Sequence, residues 1–170
     1  MDEQKKVEVS QEEQKMENAP CAIDKACAHD VVTIQHIRKG KVIATRHSDK
    51  ITTAGLAELA KLWGGIGTAF NYLALGTGTA AAAAGDTALG AELSATGLDR
   101  VLVTPTATVA TAVLDYTWTM TAAGTIAVTE EGELNSSSGG VLGARQVFAA
   151  LNVIATDQIR VTHKNAFAEG

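Results

Sequence analysis

Two groups of side chains lie close enough in sequence to do chemistry together. Cys21, Cys27 and His29 form a C-x5-C-x-H cluster, and Glu130, Glu131 and Glu133 form an acidic run. Zinc sites favour cysteines separated by about two to four residues, with a second pair of ligands. Here only His36, His47, Asp24 or Asp30 offers a further ligand. The cysteines therefore read as accessible thiols, reduced in a cytoplasm. Their remaining chemistry is a disulfide, with each other or with a neighbouring subunit, which needs Cα atoms within about 7 Å. The acids invite a glycoside-hydrolase reading, but that reaction needs carboxyl groups facing each other across roughly 5 to 9.5 Å. Sequence-adjacent acids on a turn do not establish such a pair.

The other candidates are single residues or loops. His36, His47 and His163 fall in strand-like segments without a Ser or Cys nucleophile motif, so they are expected on strand surfaces. Gly76-Thr77-Gly78-Thr79 is followed by an alanine tract to Gly85-Asp86, with neither the Lys-Ser/Thr pair nor the helix start of a phosphate loop. Asn135-Ser136-Ser137 matches a glycosylation sequon but reads as a turn. The expectation is no catalytic residue, no cofactor and no metal.

The elements that position these residues are mostly strands. In residues 112–148, Leu114, Tyr116, Trp118 and Met120 alternate with Asp115, Thr117 and Thr119, which predicts a half-buried strand with Trp118 in the core. Ile126 and Val128 resume the pattern, and Asn, Ser and Gly at 135–140 break it, so the stretch reads as a meander. Residues 31–37 and 41–47 predict a hairpin through Arg38-Lys39-Gly40. Thr53 is a candidate cap for a helix with Leu56, Leu59, Ala60 and Trp63 on one face, closed by Gly64-Gly65. Further strands are expected at 70–75, at 100–106 with Pro105 at a sheet edge, at 141–148, and at 158–163 with Ile159 and Val161 inward. Seven or eight short strands and one short helix give a mainly β protein, an antiparallel β-sandwich.

A chain of 170 residues is one domain by length, and its 46% apolar content with 4% aromatics implies a thin core. Residues 1–30 differ from the rest: eight acids against four lysines give a net charge of −4, most of the chain's −5. With few large apolar side chains, this segment reads as an extended N-terminal arm preceding a β-sandwich domain at 31–170. Val7 and Val9 alternate with Glu8 as an added strand would, and Pro20 stiffens the exit. The acidic balance opposes nucleic-acid binding. No apolar run is long enough to cross a bilayer, and the N-terminus lacks the apolar core of a signal peptide.

The blocks TTAGLAELAKL at 52–62, LALGTGTAAAAAGDTALGAEL at 73–93 and EGELNSSSGGVLGARQVFAALNVIATDQIRVTHK at 131–164 occur in this order. In that arrangement the chain resembles a family of small bacteriophage virion structural proteins over residues 31–164. The resemblance implies a β-rich building block that decorates, links or collars the head and neck, or is tail-associated. It implies capsid, neck or tail subunits as partners, homo-oligomerisation, residence in the virion after assembly in a bacterial host cytoplasm, and no catalytic residues. The alternative is a tail fibre or baseplate adhesin that binds a host surface glycan, disfavoured if Trp118 and Tyr116 are committed to the core.

Overall fold

The structure is a computed structural model that describes residues 27–48, 50–108 and 112–168. Among these residues it is an antiparallel β-sandwich with one helix. In chain order the elements are β1 (Cys27–Arg38), β2 (Lys41–Ser48), α1 (Thr53–Trp63), β3 (Tyr72–Gly76), β4 (Val101–Leu102), β5 (Thr106–Thr108), β6 (Val113–Thr121), β7 (Ile126–Leu134), β8 (Leu142–Val153) and β9 (Gln158–Ala168). One sheet has the order β2-β1-β9-β6-β5 and the other β4-β3-β7-β8.

Local chemistry explains the ends of several elements. Lys39 and Gly40 both take positive φ, 50° and 74°, as the two central residues of a tight hairpin turn require, so β1 and β2 pair as expected. The helix cap is Thr52 rather than Thr53: its hydroxyl accepts from the Gly55 N–H at 2.9 Å. At the other end, Gly65 has φ 72°, its N–H bonds Leu62 O, and the Ile66 N–H bonds Lys61 O. That pair of bonds is a Schellman motif.

The predicted meander is replaced by a crossing. β6 belongs to the first sheet and β7 to the second, so of β6, β7 and β8 only the last two form a hairpin. The link at 122–125 spans the sandwich because the Ala122 N–H bonds Asp157 O and the Ala123 N–H bonds Thr96 O. The segment expected as one strand at 100–106 is likewise split, with β4 in one sheet, β5 in the other and Pro105 between them. On the opposite side, residues 50–52 follow β2 and pair with β8, through Thr52 N–H to Gly143 O and Arg145 N–H to Lys50 O.

Side-chain faces also differ in two places. Trp118 has the inward parity, opposite buried Val161, yet is 41% exposed. The neighbouring strand β5 stops at Thr106, opposite Asp115, so β6 lacks that neighbour at Trp118. The helix buries Gly55 and Glu58, while Leu56 is exposed and Trp63 is 94% exposed. Gly55 sets this rotation: a Cβ there would collide with the Gly143 backbone, so the helix packs its glycine against β8. Glu58 is held at the contact by the Thr68 N–H at 2.8 Å, Lys61 at 2.9 Å and the Asn135 amide at 3.4 Å.

Residues 27–30, assigned to the arm by sequence, are part of β1: Cys27 pairs with Ala168 and Asp30 with Asn165, and Asp30 is buried. The sheet therefore begins by residue 27. Val7, Val9, Pro20 and Cys21 lie outside the described residues, and so does the geometry of a Cys21–Cys27 bridge.

Candidate functional site

The sandwich interior is divided along its length. Towards one end, Val32, Ile34, Leu73, Leu75, Met120, Val128, Leu151, Val153, Ile159 and Val161 form an apolar core. Towards the other end the facing side chains are polar: Asp30 on β1, His163 and Asn165 on β9, Glu131 and Glu133 on β7, and Gln146 on β8. Of these, Asp30, Glu131, Glu133, Gln146 and His163 are buried.

The irregularity between Val128 and Glu130 explains how β7 serves both halves. Without it, Val128 and Glu131 would point to opposite faces, because side chains alternate along a strand. The shift lets Val128 join the apolar core while Glu131 and Glu133 enter the polar end. The acids expected on a turn are thus strand residues, and His163, expected on the surface, is 0% exposed. His36 is also buried; its Nε2 lies 2.8 Å from Asp157, which accepts two bonds from Arg38 at 2.6 and 3.0 Å on the same oxygen and one at 2.9 Å on the other.

His163 bridges the sheets. Its Nδ1 is 2.9 Å from Asp30 Oδ1 and its Nε2 is 2.7 Å from Glu131 Oε1. The Asn165 amide donates to Glu133 at 3.2 Å, and the Gln146 amide lies 3.5 Å from Asp30 Oδ2. Tyr116 stands edge-on to the imidazole with ring centroids 6.5 Å apart. Burial opposes the imidazolium, but the carboxylates of Asp30 and Glu131 outweigh it and hold His163 protonated well above its ordinary range. Burial raises the Glu131 carboxyl against the pull of His163. Burial, reinforced by Asp30 and Glu131, pushes Glu133 up to about 8 although His163 acts the other way. Burial and the charge of Glu133 also raise the Tyr116 phenol. Glu131 Oε2 and Gln146 Oε1 are buried without a hydrogen-bond partner.

A cavity of about 30 Å³ reaches this cluster, lined by His29, Asp30, Leu59, Phe70, Glu133 and Asn165 among others. That volume admits a water molecule or a bare ion; a sugar ring does not fit it. Ligand atoms of Asp30, Glu133 and His163 lie within 4.8 Å of one another, so these three residues can hold a metal. Of the residues grouped by sequence, His29 lines the cavity, Cys27 contributes its backbone to β1, and Cys21 lies outside the described residues.

The third acid, Glu130, points the other way and closes the glycine-rich loop. Its carboxylate accepts from the backbone N–H groups of Gly78 at 2.8 Å, Gly90 at 2.9 Å and Ala91 at 2.7 Å, and from Arg145 at 2.8 and 3.0 Å. Arg145 continues to Asp86 at 2.7 Å and Ala80 O at 3.2 Å. A side chain at Gly76 or Gly78 would collide with Glu130. The loop does wrap an anion, but the anion is the protein's own carboxylate. Burial works against the charge of Glu130, yet these donors outweigh it and keep the carboxyl below its usual range.

Sequence reasoning missed Asp30, Gln146 and Asn165 as a set because they lie on separate strands. The one local signal was the alternation of Glu131 and Glu133, which matches a strand face better than a turn.

No family model, curated protein or solved structure matches this chain. None of these comparisons supports the expected likeness to phage virion proteins.

Proposed function

We propose that this protein is a structural subunit of a bacteriophage virion, linking or decorating the head and neck by protein–protein contacts in which the N-terminal arm of one copy pairs with the β2 edge of the next. The observation that carries the assembly reading is that edge. β2 has β1 as its only strand partner among the described residues, and Lys41, Val42 and Ile43 on it are exposed. An uncovered apolar edge offers main-chain donors and acceptors to an added strand. Charge favours the arm as occupant: residues 1–26 carry seven acids against four lysines, while Lys39 and Lys41 stand exposed at the hairpin turn. The chain leaves β1 at Cys27, and the open part of β2 faces Arg38 at the other end of that strand. Twenty-six extended residues reach about 85 Å, far enough to cross to another subunit. The phage assignment draws on the resemblance of the sequence blocks.

Deletion of residues 1–26 tests the reading, because removal up to residue 30 would also take Asp30 from the core. Sedimentation velocity should show the full chain self-associating and the truncated chain monomeric, with a nearly unchanged urea midpoint. Ile43→Lys on β2 should also weaken association. A full chain that stays monomeric, or a truncated chain that assembles equally well, defeats the proposal.

A second reading, an adhesin module for host glycans, gains support from Trp63 and Trp118, because both rings are exposed where sugars use aromatic platforms. Loss of glycan capture in Trp63→Ala with unchanged oligomerisation would favour it over the assembly reading.

A further inference from the structure

The polar end of the core combines four features that ordinary packing does not require. It holds three carboxylates against one imidazole, and Asp30, Glu131, Glu133 and His163 are all buried. Two fully buried side chains, Glu131 and Gln146, each keep an oxygen without a partner there. The first bonds His163 through its other oxygen, and the second lies with its amide 3.5 Å from Asp30. A cavity leads in from the surface past Asp30 and Glu133. Ligand atoms on three different strands already converge to within 4.8 Å.

We propose that this end of the sandwich is a divalent-cation site in which Asp30, Glu133 and Nδ1 of His163 bind a first-row transition ion of the Zn2+ or Mn2+ type. The donor set decides the class of ion, since imidazole suits transition ions and carboxylates bring harder ones within range. Glu131 has the position of an outer partner: by accepting from Nε2 at 2.7 Å it fixes that nitrogen as the N–H and leaves Nδ1 as the lone-pair donor. The ion takes the place of the proton between Nδ1 and Asp30, and that proton leaves to solvent together with the proton of the Glu133 carboxyl. Gln146 turns its amide nitrogen to Asp30 Oδ2 at 3.5 Å, so a flip of that amide presents its oxygen on the Asp30 side of the shell. Two donors bound at about 2.1 Å can be no more than about 4.2 Å apart, so the three ligands must close slightly around the ion. Because Asp30 and His163 belong to one sheet and Glu133 to the other, an ion here pins the two sheets together.

The test uses the full, untagged chain carrying Cys21→Ser and Cys27→Ser, which removes thiolates as competing ligands. After EDTA treatment and dialysis, calorimetric titration with ZnCl2 and with MnCl2 should show one saturable equivalent and a raised Tm. Glu133→Gln keeps the side-chain shape and should weaken binding by more than the roughly 10–100-fold typical of losing an outer partner. Glu92→Gln, on an exposed carboxylate, should bind as the parent does. Should Glu133→Gln not fold, the parent with CoCl2 decides: visible bands of imidazole- and carboxylate-bound Co2+ support the site, and a spectrum of aquated Co2+ overturns it. The absence of saturable binding by the parent, or full binding by both Glu133→Gln and Asp30→Asn, also overturns it, leaving a cluster neutralised by protons and buried water.

Discussion

Glu130 is the most informative residue to remove, because one carboxylate holds three backbone amides and an arginine. Glu130→Ala leaves Arg145 buried with Asp86 and Ala80 O as its remaining partners. Breaking a buried pair by deleting one member costs roughly 3–5 kcal/mol. Each amide of Gly78, Gly90 and Ala91 left dry would add roughly 1–3 kcal/mol, but the loop can lift and let water reach them. The total loss is therefore expected to be about 4 kcal/mol, a large share of the roughly 5–15 kcal/mol that holds a domain together. Glu130→Gln retains an acceptor but no charge, and should lose about half as much, near 2 kcal/mol. Urea unfolding measures both. Hydrogen exchange adds the location: amides at 78, 90 and 91 should lose protection before the strands do. A loss in Glu130→Ala below about 1 kcal/mol, with those amides still protected, would refute the view that this carboxylate ties the loop to the sheet.

Two further outcomes follow from the core. Trp118→Ala should cost about 2 kcal/mol, less than the roughly 3–5 kcal/mol of a fully buried ring, and Tyr116→Ala should cost more than Trp118→Ala in the same urea experiment. In EDTA-treated protein, stability should fall as pH rises from about 5 to 8. Glu133, facing Asp30, Glu131, His163, Asn165 and Tyr116, keeps its proton when folded up to about 8 but loses it near 4.3 when unfolded, so rising pH favours the unfolded chain. His163 acts in the same direction, since its raised affinity for a proton stabilises the fold below about 6.5 and is lost as pH rises through its folded value. Glu130 and Asp157, held low by their donors, act on the other limb, and their contribution fades as pH drops below about 4. Tm measured across pH 4 to 9 should peak on the acid side of neutrality, and Glu133→Gln should flatten the alkaline slope; a Tm that climbs from pH 6 to 8 contradicts this.

The parts of the fold legible in the sequence are those fixed by neighbours in the chain. The β1–β2 turn follows from Lys39-Gly40, the end of α1 from Gly64-Gly65, and the inward face of β9 from Ile159 and Val161. What escaped depends on partners far away. The helix face was misjudged because Gly143, not the apolar stripe, selects Gly55 as the contact. The acids of β7 read as turn residues because nothing near them announces His163 or the amides of Gly78, Gly90 and Ala91. The crossing after β6 was invisible for the same reason, its bonds running to Thr96 and Asp157.

The pairing of β1 with β9 also has a consequence for how the chain is made. Among the described strands the last to leave the ribosome is the middle one of its sheet, and Val32 must find His163 far along the chain. Contacts of such separation form slowly, since a long loop must close before they stabilise anything. Until then the β1–β2 hairpin waits with Val32 and Ile34 uncovered and an edge open to the wrong partner. A ribosome that stops before residue 158 would release a chain with a gap at the centre of the sheet and its buried carboxylates without His163 and Asn165, a natural substrate for chaperones and proteases.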